Sequence, residues 1–439
     1  MTVAATTAAV PAPRAGAALA TQDPVAAAGA RALGFLDTMM DVAGAAPTAL
    51  RLPQSYADQM GLHATAFTYD AALALLAYLT DPSHHAHVRA QVVGDALLYA
   101  QEHDPDFTDG RLRQAYTVAP FAAGGVTQPY GFIRPDGAVN TDGPYDFRAS
   151  HTGDLAWAGI ALATLGRRTG LRRYTVGAAR LGAWIVAHCR SGGPLRGFHS
   201  GVDGTGQVLP AVATAHNAVL ATLFGSLAAA TGDAVWLRQR AHAERFVQRM
   251  WHPGEQCWAS LSPDGVTVGR GAATLEAQLH PWLACTRLRS RPALEFVDRA
   301  LTVTDSATRP HSALPAGVRV TGVTFSAASR VIGAEEDAAG PSPYAVWCEG
   351  TAQYACAARR DALAPQRWSA LVRDLATVQE QVGAGQSAGG RQLPAGTGLV
   401  AATSPLPAGV SASGYFPVRH VGTTAWFLLA RAGVNPLRG

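Results

Sequence analysis

The amino-acid sequence predicts an all-α protein, a single-domain (α/α)6 toroid in which six helical hairpins close into a ring. Apolar residues recur at helical spacing in about a dozen segments. Several segments are separated by only a few turn residues, as at 81–83 and 231–233, which places neighbouring helices antiparallel. Strongly apolar segments also alternate with amphipathic ones, as the inner and outer helices of a ring would.

The predicted helices fall into two kinds. One kind is rich in Ala, Leu and Trp on most sides and is expected to be buried. The other kind, such as residues 233–251, carries Arg and Glu on one face and is expected to cover the first. The predicted spans are residues 24–41, 68–79, 85–102, 152–166, 172–190, 214–231, 233–251, 274–286, 290–303, 346–359, 366–382 and 420–433.

The chain is predicted to have two parts. Residues 1–22 are expected to be a disordered tail, because prolines and an arginine interrupt a stretch rich in Ala and Thr. Residues 23–439 are expected to form the toroid domain. Longer loops rich in Gly and Pro precede the apolar helices and should gather on one face of the ring. An open solenoid of helix pairs is the alternative architecture.

The composition argues against several classes of function. The 35 basic and 31 acidic residues form no long run of one sign, so no nucleic-acid partner is expected. No stretch of 18 apolar residues and no secretory leader is present, which predicts a cytoplasmic protein without a membrane span. Five cysteines without a CxxC pair predict free thiols. Without nucleotide or metal motifs, no cofactor and no metal are expected, and the expected partner is a small-molecule substrate.

Acidic residues occur where loops enter the apolar helices. Glu349 precedes a very apolar helix, where a carboxylate costs energy unless it has a partner or a task. Paired carboxylates in a cavity could perform general acid and base chemistry. Two of these acids, Asp70 and Asp154, could equally be first-turn residues favoured by the helix dipole. The candidate catalytic residues are Glu349, Asp154, His151, Asp70 and Glu276.

Polar and aromatic side chains accompany these acids at the same six loop-to-helix junctions. Such residues could bind a substrate where helix N-termini face a cavity. Two of them, His216 and His420, could instead be core histidines bonded to backbone. The aromatic rings could be core, or could stack on sugars or polyenes. The candidate substrate-binding residues are Tyr69, Arg148, His216, Asn217, His280, Trp347, Tyr415, Arg419 and His420.

Six segments, in their order, resemble a group of bacterial glycoside-hydrolase-like proteins with an (α/α)6 barrel. The resemblance covers most of residues 60–436 and implies the toroid fold with a central cavity that binds carbohydrate in relatives. The segments are TYDAALALLAYL, HTGDLAW, TAHNAVLATLF, LEAQLHPWLA, WCEGTAQYA and YFPVRHVGTTAWFLLARAGVNP.

The chain departs from this family pattern in its acids. The family's third segment usually reads Ser-Thr-Glu-His-Asn with an acid two residues further on, whereas Ala215 and Val219 hold the two acidic places here. Glu276 replaces a common aspartate, while Glu349 and Asp70 match the family's acids. A glycosidase needs two carboxylates that flank the scissile bond. The loss of two acids therefore weakens the prediction of hydrolysis.

The departures favour a repurposed enzyme with a less acidic, more apolar cavity. We expect it to catalyse a cofactor-independent cyclisation, isomerisation or rearrangement of a flexible molecule of the polyketide natural-product type. The cavity would hold one conformer while a retained acid moves a proton. Two alternatives stay open: an intracellular glycoside hydrolase with paired carboxylates, and a carbohydrate-binding pseudoenzyme.

Overall fold

The computed structural model describes residues 23–44, 49–62, 64–118, 146–331, 341–360, 365–408 and 414–438, and the backbone of 122–123 and 126–127. The predicted disordered tail, residues 1–22, lies outside the described residues. Every predicted helical segment corresponds to a helix. The helices are α1 (Pro24–Met40), α2 (Thr68–Tyr78), α3 (His84–Glu102), α4 (Thr152–Thr169), α5 (Arg172–Cys189), α6 (Thr214–Thr231), α7 (Val235–Arg249), α8 (Leu275–Ala284), α9 (Arg291–Phe296, continued by a π-helix at Val297–Leu301), α10 (Cys348–Arg360), α11 (Pro365–Gln381) and α12 (Val421–Ala432).

The even-numbered helices form a closed inner ring. Each of α2, α4, α6, α8 and α10 contacts the next inner helix, and α12 contacts α2. Each outer helix packs mainly on one inner helix: α3 on α2, α5 on α4, α7 on α6, α9 on α8, α11 on α10 and α1 on α12. The predicted (α/α)6 ring is therefore confirmed, and its closure excludes the open solenoid.

Burial follows the apolar patterning of the two kinds of helix. Ten of the eleven residues of α2 and ten of the twelve of α12 are buried, whereas α7 on the outside buries five of fifteen. The hydrophobic effect thus places the Ala- and Leu-rich helices inside. Helices α4 and α6 end at Gly170 and Gly232, both with φ of 72°, a left-handed conformation that glycine adopts without steric cost.

The chain is not purely helical, because short antiparallel ribbons connect the helices. The longest pairs β12 with β13 over five residues each, in a stretch where the sequence predicted a helix end and a loop. The strands are β1 (Thr65–Phe67), β2 (Ala115–Thr117), β3 (Ala122–Ala123), β4 (Val126–Thr127), β5 (Ser150–His151), β6 (Gly201–Val202), β7 (Val208–Leu209), β8 (Val212–Ala213), β9 (Trp251–His252), β10 (Cys257–Trp258), β11 (Leu261–Ser262), β12 (Thr302–Ser306), β13 (Arg319–Val323), β14 (Ser387–Ala388), β15 (Arg391–Gln392), β16 (Leu399–Val400), β17 (Leu406–Pro407), β18 (Gly414–Tyr415) and β19 (Arg419–His420).

A C-terminal tail, residues 434–438, closes the base of the ring. Its Leu437 is fully buried, and the carbonyl of Leu437 accepts a hydrogen bond from Thr222 Oγ1 of α6 at 3.0 Å. Asn435 Nδ2 donates to the carbonyl of Leu283 in α8 at 2.9 Å. The inner ring is therefore plugged at the C-terminal ends of its helices, and the opposite, N-terminal ends surround the cavity described below.

The five cysteines and the helix lengths bear on two further predictions. Cys189, Cys257, Cys285, Cys348 and Cys356 are all buried free thiols. Among the described helices, none combines the length and the apolar character needed to cross a membrane.

Candidate active site

A cavity of about 290 Å³ lies at the N-terminal ends of the inner helices. All six inner helices contribute to its lining, either from their first turns or, for α12, from the preceding residue His420. The predicted convergence of the six loop-to-helix junctions is thus observed. The lining residues are Tyr56, Phe67, Tyr69, Asp70, Gln114, Gly153, Asp154, Trp157, His216, Val219, Glu276, His280, Glu349, Ala408, Gly414, Tyr415 and His420.

His420 lies between two carboxyl groups. Its Nε2 is 3.0 Å from Asp70 Oδ1, and its Nδ1 is 3.7 Å from Glu349 Oε2. Nδ1 also accepts a hydrogen bond from the backbone N–H of Thr423 at 3.3 Å and so caps α12. Burial lowers the pKa of His420, but the charge of Asp70 and its hydrogen bond outweigh burial, so the net pKa is raised. If Nδ1 were protonated, it could no longer accept the hydrogen bond from Thr423, and it would instead attract the carboxylate of Glu349.

The carboxyl group of Glu349 is hydrogen-bonded by a tyrosine and forms no ion pair with Lys or Arg in the described chain. Tyr69 donates its hydroxyl hydrogen to Glu349 Oε1 at 2.5 Å and accepts a hydrogen bond from Trp426 Nε1 at 3.0 Å. Burial raises the pKa of Glu349 to about 7, although His420 and the Tyr69 hydrogen bond act in the opposite direction. Glu349 can therefore exist in both protonation states near neutral pH, as a proton-transfer group requires.

Asp154 is the second carboxyl group with a pKa raised to about 7, because of burial and the nearby charge of Asp70. It makes no hydrogen bond with the described part of the chain. Asp154 belongs to α4 and Glu349 to α10, which are three positions apart in the six-helix ring. The two carboxyl groups therefore face the cavity from opposite walls.

A third acidic group is linked to Glu349 through an amide. Gln353 Nε2 donates to Glu276 Oε1 at 3.2 Å and to Glu349 Oε1 at 3.4 Å. Glu276 Oε1 also lies 3.8 Å from His280 Nε2. The side chain of His280 is only 3% exposed, and its ring nitrogens lie near the side chain of Gln353 and the backbone of Ala215, whose hydrogen bonding acts to raise the pKa of His280. Burial lowers the pKa of His280, against the opposing charge of Glu276.

His216 presents a second neutral imidazole to the cavity. Burial, together with the nearby His151 and His280, lowers the pKa of His216 to about 4. Its Nδ1 is buried without a hydrogen-bond partner in the described chain. A methyl group at Gly153 would lie 2.8 Å from His216 Nε2, so glycine at this position makes room for the ring. A buried polar atom without a partner is costly, so His216 has an unused hydrogen-bonding atom at the cavity.

Aromatic rings frame the polar groups. Tyr56 stacks on His420 with ring centroids 4.1 Å apart, and Trp157 meets both Tyr69 and Trp426 edge to face. These rings exclude water from one side of the network, which strengthens its electrostatic interactions. Aromatic faces are also suitable surfaces for the apolar faces of sugar rings.

The structure places five predicted site residues outside the lining. Asn217 is fully buried and bonds the backbone of Phe198, and Arg419 is fully buried with NH1 donating to the carbonyl of Pro394 at 2.8 Å. Trp347 packs beneath Tyr415. These three side chains therefore lie within the barrel scaffold and not in the lining of the cavity.

The other two residues lie near the cavity without lining it. Arg148 forms an ion pair with Asp106 at 3.2 Å and is 38% exposed at its side chain. His151 precedes α4, its pKa is lowered by burial, and it acts on the site through its charge on His216. The prediction that Asp154 acts with His151 in proton transfer has no contact to support it.

Several lining residues were not assigned from the sequence. Tyr56 and Gln114 come from irregular segments without helical periodicity, so no pattern marks them. Trp157 belongs to a segment already singled out, and its helical spacing from Asp154 could have assigned it. Gln353, one helical turn from Glu349, contacts the network without lining the cavity. Among the described residues, no group of three or more His, Cys, Asp or Glu side chains is arranged to hold a metal ion.

Comparisons with known proteins identify the fold. No family model and no curated protein matches this chain. Among solved structures, a cellobiose 2-epimerase from Spirochaeta thermophila has a TM-score of 0.58 at 12% identity and covers 96% of this chain and 99% of its own. A D-mannose isomerase has a TM-score of 0.59 at 9% identity, covering 95% and 98%. An α-amylase from Clostridium perfringens has a TM-score of 0.52 at 10% identity, covering 92% and 97%. The chain thus has the (α/α)6 barrel of glycoside-hydrolase-like proteins.

Proposed function

We propose that the central cavity is the active site of a cofactor-independent isomerase or epimerase that moves a proton on a small carbohydrate. The main support is the pair of carboxyl groups, Glu349 and Asp154, which face each other across the ring with pKa values of about 7. Two such groups can exchange roles as acid and base near neutral pH. The cellobiose 2-epimerase and D-mannose isomerase neighbours favour the same class of reaction.

The proposed step conserves protons. The Glu349 carboxylate removes the hydrogen from a carbon beside the substrate carbonyl, and the electron pair of that C–H bond moves to the carbonyl oxygen. The neutral imidazole of His216 donates its N–H group to this oxygen and stabilises its negative charge. Protonated Asp154 then returns a proton from the opposite wall. Return to the same carbon epimerises it. Return to the former carbonyl carbon isomerises the sugar, because the hydrogen of the neighbouring hydroxyl group then passes to the former carbonyl oxygen and a new carbonyl forms at the deprotonated carbon.

The lining favours a polar substrate. Its acidic side chains, Asp70, Asp154, Glu276 and Glu349, and its imidazoles, His216, His280 and His420, require hydrogen-bonding partners. The volume is at the small end of the range for ligand pockets. The sequence predicted a largely hydrophobic, polyketide-type substrate because Ala215 and Val219 replace two acids. Of these two residues only Val219 lines the cavity, so their replacement makes little of the lining apolar.

The test is exchange of substrate hydrogen with solvent. The protein is incubated in D2O with D-mannose, D-glucose, D-fructose and cellobiose, and NMR detects deuterium at the carbon beside the carbonyl and any new sugar. We expect exchange with at least one sugar, and a loss of about 10²- to 10⁴-fold in Glu349→Gln and in Asp154→Asn. Glu295→Gln, an exposed acid on α9, is the matched control. Equal rates in all three variants, or no exchange with any sugar, would contradict the proposal.

Glycoside hydrolysis is the second candidate. The observation in its favour is that carboxyl groups stand on opposite walls, with Asp70 on α2 also across the ring from Glu276 on α8. Hydrolysis predicts release of reducing ends from an oligosaccharide, abolished in Glu349→Gln, without deuterium at the carbon beside the carbonyl. Binding of a sugar without either reaction, unchanged in Glu349→Gln, would indicate a carbohydrate-binding protein instead.

A further inference from the structure

A second pocket of about 340 Å³ opens at the base of the ring, and we call it the basal pocket. It is formed by the C-terminal ends of α2, α4 and α12 and by the C-terminal tail. The same three helices begin at the active-site cavity, so the two pockets lie on opposite faces of the barrel, roughly 15 Å apart along the helix axes.

The basal pocket is strongly basic. Arg167, Arg168, Arg438 and His87 line it, and Asp81 is its one acidic lining residue among those described. The carboxylate of Asp81 already accepts a hydrogen bond from the backbone N–H of Ser83 at 2.9 Å. The three arginine side chains form no hydrogen bond or ion pair with the described part of the chain, so three positive charges surround one concave space.

Favourable interaction with a helix dipole explains the position of only some of these arginines. Arginines in the last turn of a helix commonly complement its partial negative charge, as Arg167 and Arg168 do on α4. Arg438, however, lies in the tail beyond the end of α12. Burial lowers the pKa of Arg360, and the nearby charges of Arg289 and Arg438 act in the same direction, so further positive charge lies around the tail. The three arginines of the pocket are exposed, so their charges are available to attract an anion from solvent.

We propose that the basal pocket binds a phosphate monoester of a small molecule. The planar guanidinium groups of Arg167, Arg168 and Arg438 match the geometry of phosphate oxygens and can bind them in pairs. The pocket is larger than a free phosphate ion needs. Its remaining wall includes Leu79, which is 8% exposed, and the exposed Pro82, against which the carbon body of an ester can pack. This proposal does not depend on the reaction proposed for the central cavity.

Isothermal titration with glucose 6-phosphate, inorganic phosphate and glucose tests the proposal. We expect wild-type protein to bind glucose 6-phosphate more tightly than inorganic phosphate and not to bind glucose at this site. Removal of two charges in Arg167→Ala/Arg168→Ala should weaken binding at least tenfold. Arg238→Ala/Arg245→Ala, two exposed arginines of α7, removes the same charge elsewhere and should leave binding unchanged.

Specific outcomes would overturn the proposal. Absence of binding of both phosphate compounds at millimolar concentration excludes the site. Equal weakening in the two double variants shows that net charge alone attracts the anion. The double variant could weaken binding by disturbing the fold of α4. The single variant Arg438→Ala leaves α4 unchanged, and its thermal melt, followed by circular dichroism, is compared with that of the wild type. Arg438→Ala with unchanged affinity would exclude the tail from the site, whereas a weakened affinity at an unchanged melt supports it.

Discussion

His420 Nε2 lies 3.0 Å from Asp70 Oδ1, although the two residues are 350 positions apart in the chain. Their contact joins the start of the first inner helix to the start of the last. Both side chains are almost fully buried, so the pair is shielded from solvent and from salt. The contact that closes the ring is therefore also part of the polar network of the active site.

Asp70→Asn should destabilise the protein in a pH-dependent way. The pKa of His420 is raised in the folded protein, so the stabilisation from its cationic form is fully present below the unfolded value of about 6.5 and is lost as the pH rises through the folded value. We expect a loss of roughly 3 kcal/mol at about pH 6 and a smaller loss at about pH 9. Urea unfolding at both pH values measures it, and equal losses would contradict the assignment.

Tyr69→Phe should raise the pKa of Glu349. The tyrosine hydroxyl stabilises the carboxylate through the 2.5 Å hydrogen bond, and its removal favours the protonated acid. We expect an upward change of roughly half to one pH unit. NMR titration of protein with ¹³C-labelled glutamate carboxyl groups measures it, with Glu349→Gln identifying the resonance. A lowered pKa would mean that Tyr69 does not donate to Glu349.

Asp154→Asn should stabilise the protein at alkaline pH. The pKa of Asp154 is raised to about 7 by burial and by Asp70, so the folded state holds its proton more tightly than the unfolded state does. Wild-type stability should then fall as the pH rises from about 4 to about 7, and the variant should escape this loss. We expect a gain of roughly 1–3 kcal/mol at about pH 8, because contact with cavity solvent reduces the full effect. Thermal melts at about pH 4 and pH 8 measure it.

Gly422→Ala should separate the His420–Asp70 pair. An added methyl group would lie 2.4 Å from Asp70 Oδ1 and 2.9 Å from His420 Cε1, so one of the two side chains must move. We expect a loss of roughly 1–3 kcal/mol in unfolding free energy. The matched control is Gly34→Ala in α1, where no atom lies within 4 Å of the new methyl group and helix propensity predicts a gain of up to roughly 1 kcal/mol. Stabilisation by both substitutions would contradict the crowded geometry.

The fold could be predicted because its two kinds of helix differ in composition. Ala- and Leu-rich segments alternate with Arg-bearing ones along the whole chain, and a closed ring buries the first kind without a second domain. The β12–β13 hairpin was not predicted because it is held in place by residues that are distant in the sequence. Asp305 of β12 is fully buried and accepts hydrogen bonds from Thr403 and Ser404, contacts that a local pattern cannot reveal.

The convergence of the six junctions on one cavity was predicted from the sequence, whereas only some of the predicted residues line that cavity. Adjacent residues of a helix point about 100° apart, so His216 faces the cavity while Asn217 turns towards the scaffold. Adjacent residues of a strand point to opposite sides, which separates His420 from Arg419 in the same way. The start of an inner helix therefore predicts which segment reaches the cavity. Which of its side chains faces the cavity depends on the rotation of the helix about its axis, and packing sets that rotation.

Closure of the ring by α12 has a consequence for biosynthesis. Until the last inner helix is translated, the apolar flanks of α2 and α10 lack the neighbour that covers them. The nascent chain thus exposes two Ala-rich helix faces while it is still on the ribosome. These faces can associate with another nascent chain or be bound by a chaperone. Because His420 is delivered by the same late segment, no truncated translation product that stops short of it can assemble the chemistry prematurely.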